Sequence, residues 1–134
     1  MSVVLDDFLQ IRISDSKGLL HAKWLRSVSS EELRIGLQHI KDVINARGIS
    51  YWLADARNLQ SLPLTDQKWV LQEIAPLLVS SNLQKIARII SNDIFCYISF
   101  EEFVKKLKGT LQVAIDLEQF TSEEAAMAWL MLTD

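Results

Sequence analysis

The chain has 134 residues, 49% of them hydrophobic, with 2 prolines, 4 glycines and a formal net charge of −3. That composition builds a packed core and excludes a disordered or low-complexity chain, and the length fits a single domain. Acidic and basic residues are interspersed, which excludes a dedicated nucleic-acid surface, and the single cysteine, Cys96, excludes an internal disulfide and points to a reducing, cytoplasmic setting.

Asp6, Asp7, Arg12 and Asp15 interrupt the start of the chain, so no secretory signal is expected there. The longest clean apolar run, residues 74–79, is far short of the roughly 20 residues that span a bilayer, so no stable membrane insertion is expected. Leu9, Ile11 and Ile13 alternate with Gln10, Arg12 and Ser14, the pattern of a half-buried strand. Ser16-Lys17-Gly18 reads as a turn, and Leu20, Ala22 and Trp24 continue as the second arm of a hairpin.

Ser29 with Glu32 predicts a capping box that opens the first helix. Leu33, Leu37, Ile40 and Ile44 form its buried stripe, and Gly48 predicts a left-handed cap. Residues 49–54 are almost continuously apolar, as in a strand covered on both faces. A second helix is expected with Thr65 or Asp66 as its cap, carrying Trp69, Val70, Ile74, Leu77 and Leu78. Pro76 lies inside it and predicts a kink or an early end.

Residues 85–90 (KIARII) predict another apolar strand, followed by a helix capped by Asn92 or Asp93 and closed by Gly109. Leu111, Val113 and Ile115 alternate with polar or small neighbours and predict the last strand. Thr121 and Glu124 predict a second capping box, opening a terminal helix with the stripe Ala125, Ala128, Trp129 and Leu132. The order is ββαβαβαβα: an α/β domain with five strands, mostly parallel in a mixed sheet, and about four helices.

Little in the sequence resembles a catalytic apparatus. His21 and His39 lack metal-ligand spacing, Cys96 has no neighbouring histidine, and no glycine-rich phosphate loop or nucleophile elbow is present. Neither a cofactor nor a metal is expected. The charged pair Asp55 and Arg57 stands where the central strand ends, the usual rim for ligands in α/β proteins, with Ser61, Thr65 and Trp69 following in the loop and helix start. A phosphate on Thr65 would meet the helix dipole favourably.

Three stretches carry a family likeness: Tyr51-Trp52-Leu53-Ala54-Asp55 before a loop and helix, Lys85-Ile86-Ala87-Arg88-Ile89-Ile90 with Asp93 and Phe95 beyond it, and Phe120-Thr121-Ser122-Glu123-Glu124-Ala125 closing on Trp129-Leu130. With the element order they resemble the STAS domain family, and most of all the stand-alone bacterial STAS-like proteins also compared with CRAL-TRIO lipid-binding domains. The resemblance implies a non-catalytic regulatory module that binds proteins or small ligands. Its anti-sigma-factor antagonist branch carries an Asp-Ser-Ser-Gly motif with a phosphorylated serine; the matching place here reads Leu64-Thr65-Asp66-Gln67, where Thr65 is the only hydroxyl.

The leading expectation is therefore an interaction module that meets a regulatory protein partner through the loop 56–64 and the helix start at Thr65. The second is a protein that binds a small apolar ligand or lipid in a pocket lined by Trp24, Trp69 or Phe95, with Arg57 at its mouth. An enzyme would need converging titratable groups, for which only Asp55 and Arg57 are candidates. Homodimerisation through an edge strand or aromatic patch is compatible with all three.

Overall fold

The structure, a computed structural model, describes residues 2–132, the first four by their backbone pairing alone. Its centre is one six-stranded sheet: β1 (Ser2–Leu5), β2 (Leu9–Ser14), β3 (Leu19–Trp24), β4 (Tyr51–Asp55), β5 (Lys85–Ile89) and β6 (Asp116–Phe120). The strands lie side by side in chain order. β1, β2 and β3 pair antiparallel, and β3 to β6 pair parallel. The apolar segments at β4 and β5 are thus adjacent and parallel, as their unbroken hydrophobicity requires.

To the expected order the structure adds β1, which meets β2 through a turn with Asp6 at φ 50°. Aspartate is one of the few residues that adopts this left-handed conformation readily. The last strand also lies later than the alternation predicts. Ile115 is buried and Val113 half-buried in the approach to β6, but the ladder itself runs from Asp116 to Phe120.

α1 (Ser30–Arg47) begins and ends where its sequence dictates. Ser29 Oγ accepts from the Glu32 N–H, Glu32 Oε1 accepts from the Ser29 N–H, and Gly48 closes the helix at φ 60°. Gly36 faces the sheet: a Cβ there would stand 2.5 Å from Trp24 Cη2, so only glycine lets α1 lie this close to the indole.

α2 (Leu64–Trp69), a π-helical turn (Val70–Ile74) and α3 (Ala75–Val79) form one bent segment. Pro76 accounts for the bend. It offers no N–H and its ring crowds the carbonyl four residues back, and the Ala75 N–H reaches past that position to Val70 O. Contrary to expectation, Thr65 is not the cap. The helix opens one residue earlier behind Pro63, without a side-chain cap bond. α4 (Ile94–Thr110) is capped by Asp93, which accepts from the Phe95 N–H at 2.9 Å, and it runs past Gly109. α5 (Glu123–Leu130) is capped by Ser122 rather than Thr121.

The helices do not divide evenly between the two faces. Trp24, Trp52, Ala54 and Ile86 point to the face covered by α1 and the bent segment. Leu19, Leu53, Ala87 and Ile89 point to the other, which α5 covers with Ala126 and Leu130. Topology accounts for this: right-handed crossovers that all step the same way along a sheet place their helices on the same side. Only α5, which follows the last strand, is free to fold back over the opposite face.

Candidate functional site

A cavity of about 140 Å³ lies between the sheet and the helices of the heavily covered face. Trp24, Trp52, Ala54 and Ile86 form its floor. Leu33 and Leu37 of α1, Val70 and Ile74 of the π turn, and Phe100, Phe103 and Leu107 of α4 form its walls. The loop after β4 closes one side with Ala56, Leu59, Gln60 and Leu62. The lining is apolar except for Gln60 and Arg88. The indole N–H of Trp52, also in the lining, is sealed from water and has no hydrogen-bond partner.

Arg88 stands on β5, half-buried. Its Nη1 donates to Gln119 Oε1 at 2.7 Å, and its guanidinium lies 4.4 Å from the centre of the Phe100 ring. Burial pushes its pKa down to about 10, against a small opposing influence from Cys96, so it is cationic at neutral pH. Ser61, Gln67, Cys96 and Ser99 bring polar groups to a small adjoining cleft of mixed polarity, which shares Leu62, Arg88, Phe100 and Phe103 with the cavity.

Asp55 and Arg57 are together, but on the opposite face of the sheet. Side chains alternate along β4, so Ala54 points to the cavity and Asp55 away from it. Arg57 therefore does not line the cavity; Arg88 does. The Asp55 carboxylate is 1% exposed and accepts from Arg57 Nε at 3.0 Å, Arg57 Nη2 at 2.6 Å and the Arg57 N–H at 3.2 Å. His21 and Glu123 complete the group, with His21 Nε2 3.7 Å from Glu123 Oε1 and no hydrogen-bond partner of its own. Sequence spacing hid this cluster, because its members come from β3, β4 and α5.

His21, Asp55 and Glu123 place ligand atoms within 4.8 Å of one another. Both Asp55 oxygens are already held by Arg57, and Arg12 and Lys23 border the same cleft. A cation would meet this positive rim before it met the carboxylates, so the arrangement is a charge-balanced network rather than a metal site.

The other expected site residues are spread along the bent segment and its loop. Ser61 Oγ lies 3.5 Å from Cys96 Sγ, which ties the loop to the start of α4. Thr65 is exposed on the first turn of α2. Trp69 is half-buried against the core under the Arg34 guanidinium, 5.4 Å away, and Phe95 is 78% exposed; neither is in the cavity wall.

No protein-family model and no curated protein matches the chain. Among solved structures it is similar to an uncharacterised protein of the DUF3478 family from Shewanella loihica PV-4, described as having a SpoIIAA-like fold. The identity is 16%, the TM-score 0.59, and the match covers 97% of this chain and 98% of the other. The fold is SpoIIAA-like. The STAS-like architecture expected from the element order is therefore present from β1 to α5. Among the described residues, no helix is long and apolar enough to cross a membrane.

In this SpoIIAA-like domain the Asp55 cluster makes stability depend on pH in two windows. Burial depresses the His21 pKa against the attraction of Glu123 and Asp55. The unfolded chain thus takes up that proton first, and stability falls as pH drops below the ordinary histidine value of about 6.5. Asp55 follows lower down. Burial opposes its ionisation, but the Arg57 hydrogen bonds prevail and hold its pKa below the usual range. Its contribution is complete above the unfolded value of about 3.9 and drains as pH falls through the folded one. Urea midpoints measured from pH 7 to pH 3 are expected to fall in these two steps. His21→Gln removes the upper step and Asp55→Asn reduces the lower, to which Glu32 and Asp7, both held low by Arg26, also contribute; a single step insensitive to both variants would contradict the assignment.

Proposed function

We propose that this protein is a non-catalytic binding module that takes a small apolar ligand into the cavity between its sheet and α1, the bent segment and α4. The observation that carries this reading is the cavity itself: well-packed interiors rarely leave so large an apolar space, and an engineered apolar void of similar size binds benzene. The loop 56–63 forms one side of the cavity and also faces solvent, so occupancy of the cavity bears directly on the shape of that surface. The π turn places Val70 and Ile74 in the same wall, and such turns recur at functional sites.

A protein partner is the second reading, and a specific surface favours it. Ile94 (62% exposed), Phe95 (78%) and Ile98 (50%) form an exposed apolar strip at the start of α4, beside the loop that Ser61 tethers. The two readings are compatible: ligand in the cavity, regulatory partner on the adjoining rim.

Toluene tests the cavity. Trp24 and Trp52 line it, so their fluorescence reports its occupancy. The expected result is a saturable change with a Kd of about 1 mM or tighter, the range reachable by so small an apolar molecule. A linear, unsaturating response would mean that the space does not admit ligand.

A further inference from the structure

Resting on the reading of the cavity as a ligand site, we propose that its ligand is a small amphipathic monocarboxylate: its apolar body against Trp52 and Ile86, its carboxylate on the Arg88 guanidinium. Three independent observations converge on Arg88. The first is its unanswered charge. Arg26, Arg34, Arg47 and Arg57 each meet a carboxylate, and Arg12 is exposed to water. Arg88 is half-buried beside an apolar space, and among the described residues it meets only the Gln119 carbonyl oxygen and the Phe100 ring. A guanidinium carries five N–H donors, so one bond to Gln119 leaves most of the fork for a ligand. Burying a charge without a counter-charge is costly, and a carboxylate entering with the ligand would offset that cost.

The second observation is topological. The connection after β5 leads to α4, on the cavity face, and the connection after β6 leads to α5, on the other face. Ligands in open α/β sheets bind outside the carboxyl ends of the strands, and Arg88 stands one residue before the end of β5. Arg88 and Gln119 are register partners on these two strands.

The third is shape. The cavity is apolar, whereas the adjoining cleft that Arg88 also lines adds the polar groups of Ser61, Gln67, Cys96 and Ser99. A molecule with one apolar and one anionic end matches that division. The volume admits a body about the size of a benzene ring, which puts benzoate within range and a long acyl chain outside it.

Benzoate, its neutral near-isostere benzamide, and toluene separate the alternatives when titrated into the full chain at pH 7. The wild-type protein is expected to bind benzoate about 10- to 100-fold more tightly than benzamide, the contribution of a charge-assisted fork contact. In Arg88→Gln the two are expected to bind equally, with toluene affinity unchanged. Arg88→Lys, which keeps the charge without the fork, is expected to retain part of the preference and covers the case in which Arg88→Gln does not fold. If Arg88 only packs against Phe100, its replacement lowers all three affinities together and leaves the benzoate preference intact. That result, or equal binding of benzoate and benzamide by the wild type, overturns the inference while the cavity stands. Failure of toluene to bind overturns the cavity reading, and the inference falls with it.

Discussion

Leu130→Ala is expected to lower the free energy of unfolding by about 3–4 kcal/mol, in the upper part of the range for a fully buried leucine. Leu130 is 0% exposed and packs with Leu53, Ala87, Ile89 and Ala126. Two of these partners are alanines, which have no rotamers with which to refill a void, so the cavity term is felt almost in full. α5 has eight residues, too few to be helical alone, and it depends on this contact for its existence. Its other ties to the sheet include buried Ala126, the tilted Phe120–Trp129 pair at 5.7 Å, the Lys85 ammonium donating to Trp129 O at 3.0 Å and the His21–Glu123 contact. Loss of the helix would uncover Leu53 and Ile89, because no other helix among the described residues covers that face. Urea denaturation measures the change, and hydrogen exchange locates it. The α5 amides are expected to lose protection before those of β4 and β5. A change below about 1 kcal/mol would show that α5 contributes little cover to this face.

The parts of the fold legible in the sequence were those fixed by local chemistry. The Ser29–Glu32 box and the Gly48 cap are each completed within one turn of chain, and both are present. The parallel pairing of β4 with β5 also followed from composition, since Leu53, Ala87 and Ile89 can be apolar on one face only if something covers it. The last strand misled because alternation reports which side chains are buried, not which backbone groups are paired. Leu111, Val113 and Ile115 alternate, yet β6 begins at Asp116. β1 is four residues long and is cut off by two aspartates, too little for a periodic signal.

The candidate site was legible only in part, for a related reason. The loop after β4 was found because strand ends and helix starts are visible in sequence. Which face each residue serves was not. A shift of one position separates Ala54, on the cavity, from Asp55, on the far side, and with it the roles of Arg88 and Arg57. The signal that points to Arg88 is a charge that follows apolar Ile86 and Ala87 in the interior of β5. It becomes informative only once β6 is known to answer it with glutamine rather than a carboxylate.

Asp66→Ala is expected to cost about 2–3 kcal/mol and to weaken toluene binding about fivefold or more, coupling the stability of the bent segment to the cavity it helps to wall. Asp66 is 1% exposed on α2. Its Oδ2 accepts from Ser30 Oγ at 2.7 Å, and its Oδ1 from Arg34 Nε at 3.2 Å, with Arg34 Nη2 also at 3.2 Å. These contacts join the first turns of α1 to a helix that has only six residues before its hydrogen bonding shifts to the π pattern. Removing the carboxylate leaves Ser30 without its acceptor. Arg34 is 40% exposed and can hydrate, which keeps the loss below the 3–5 kcal/mol typical of a wholly buried pair. Freed from α1, the start of α2 loosens the loop that carries Leu59 and Leu62, and the cavity loses a defined wall. Asp66→Asn separates charge from hydrogen bonding. Its amide oxygen still accepts from Ser30, so a loss of about 1 kcal/mol with toluene binding retained is the expected result. If Asp66→Ala instead unfolded the protein more easily without changing toluene affinity, the bent segment would be anchored independently of the cavity, and ligand occupancy could not be transmitted to the loop surface through it.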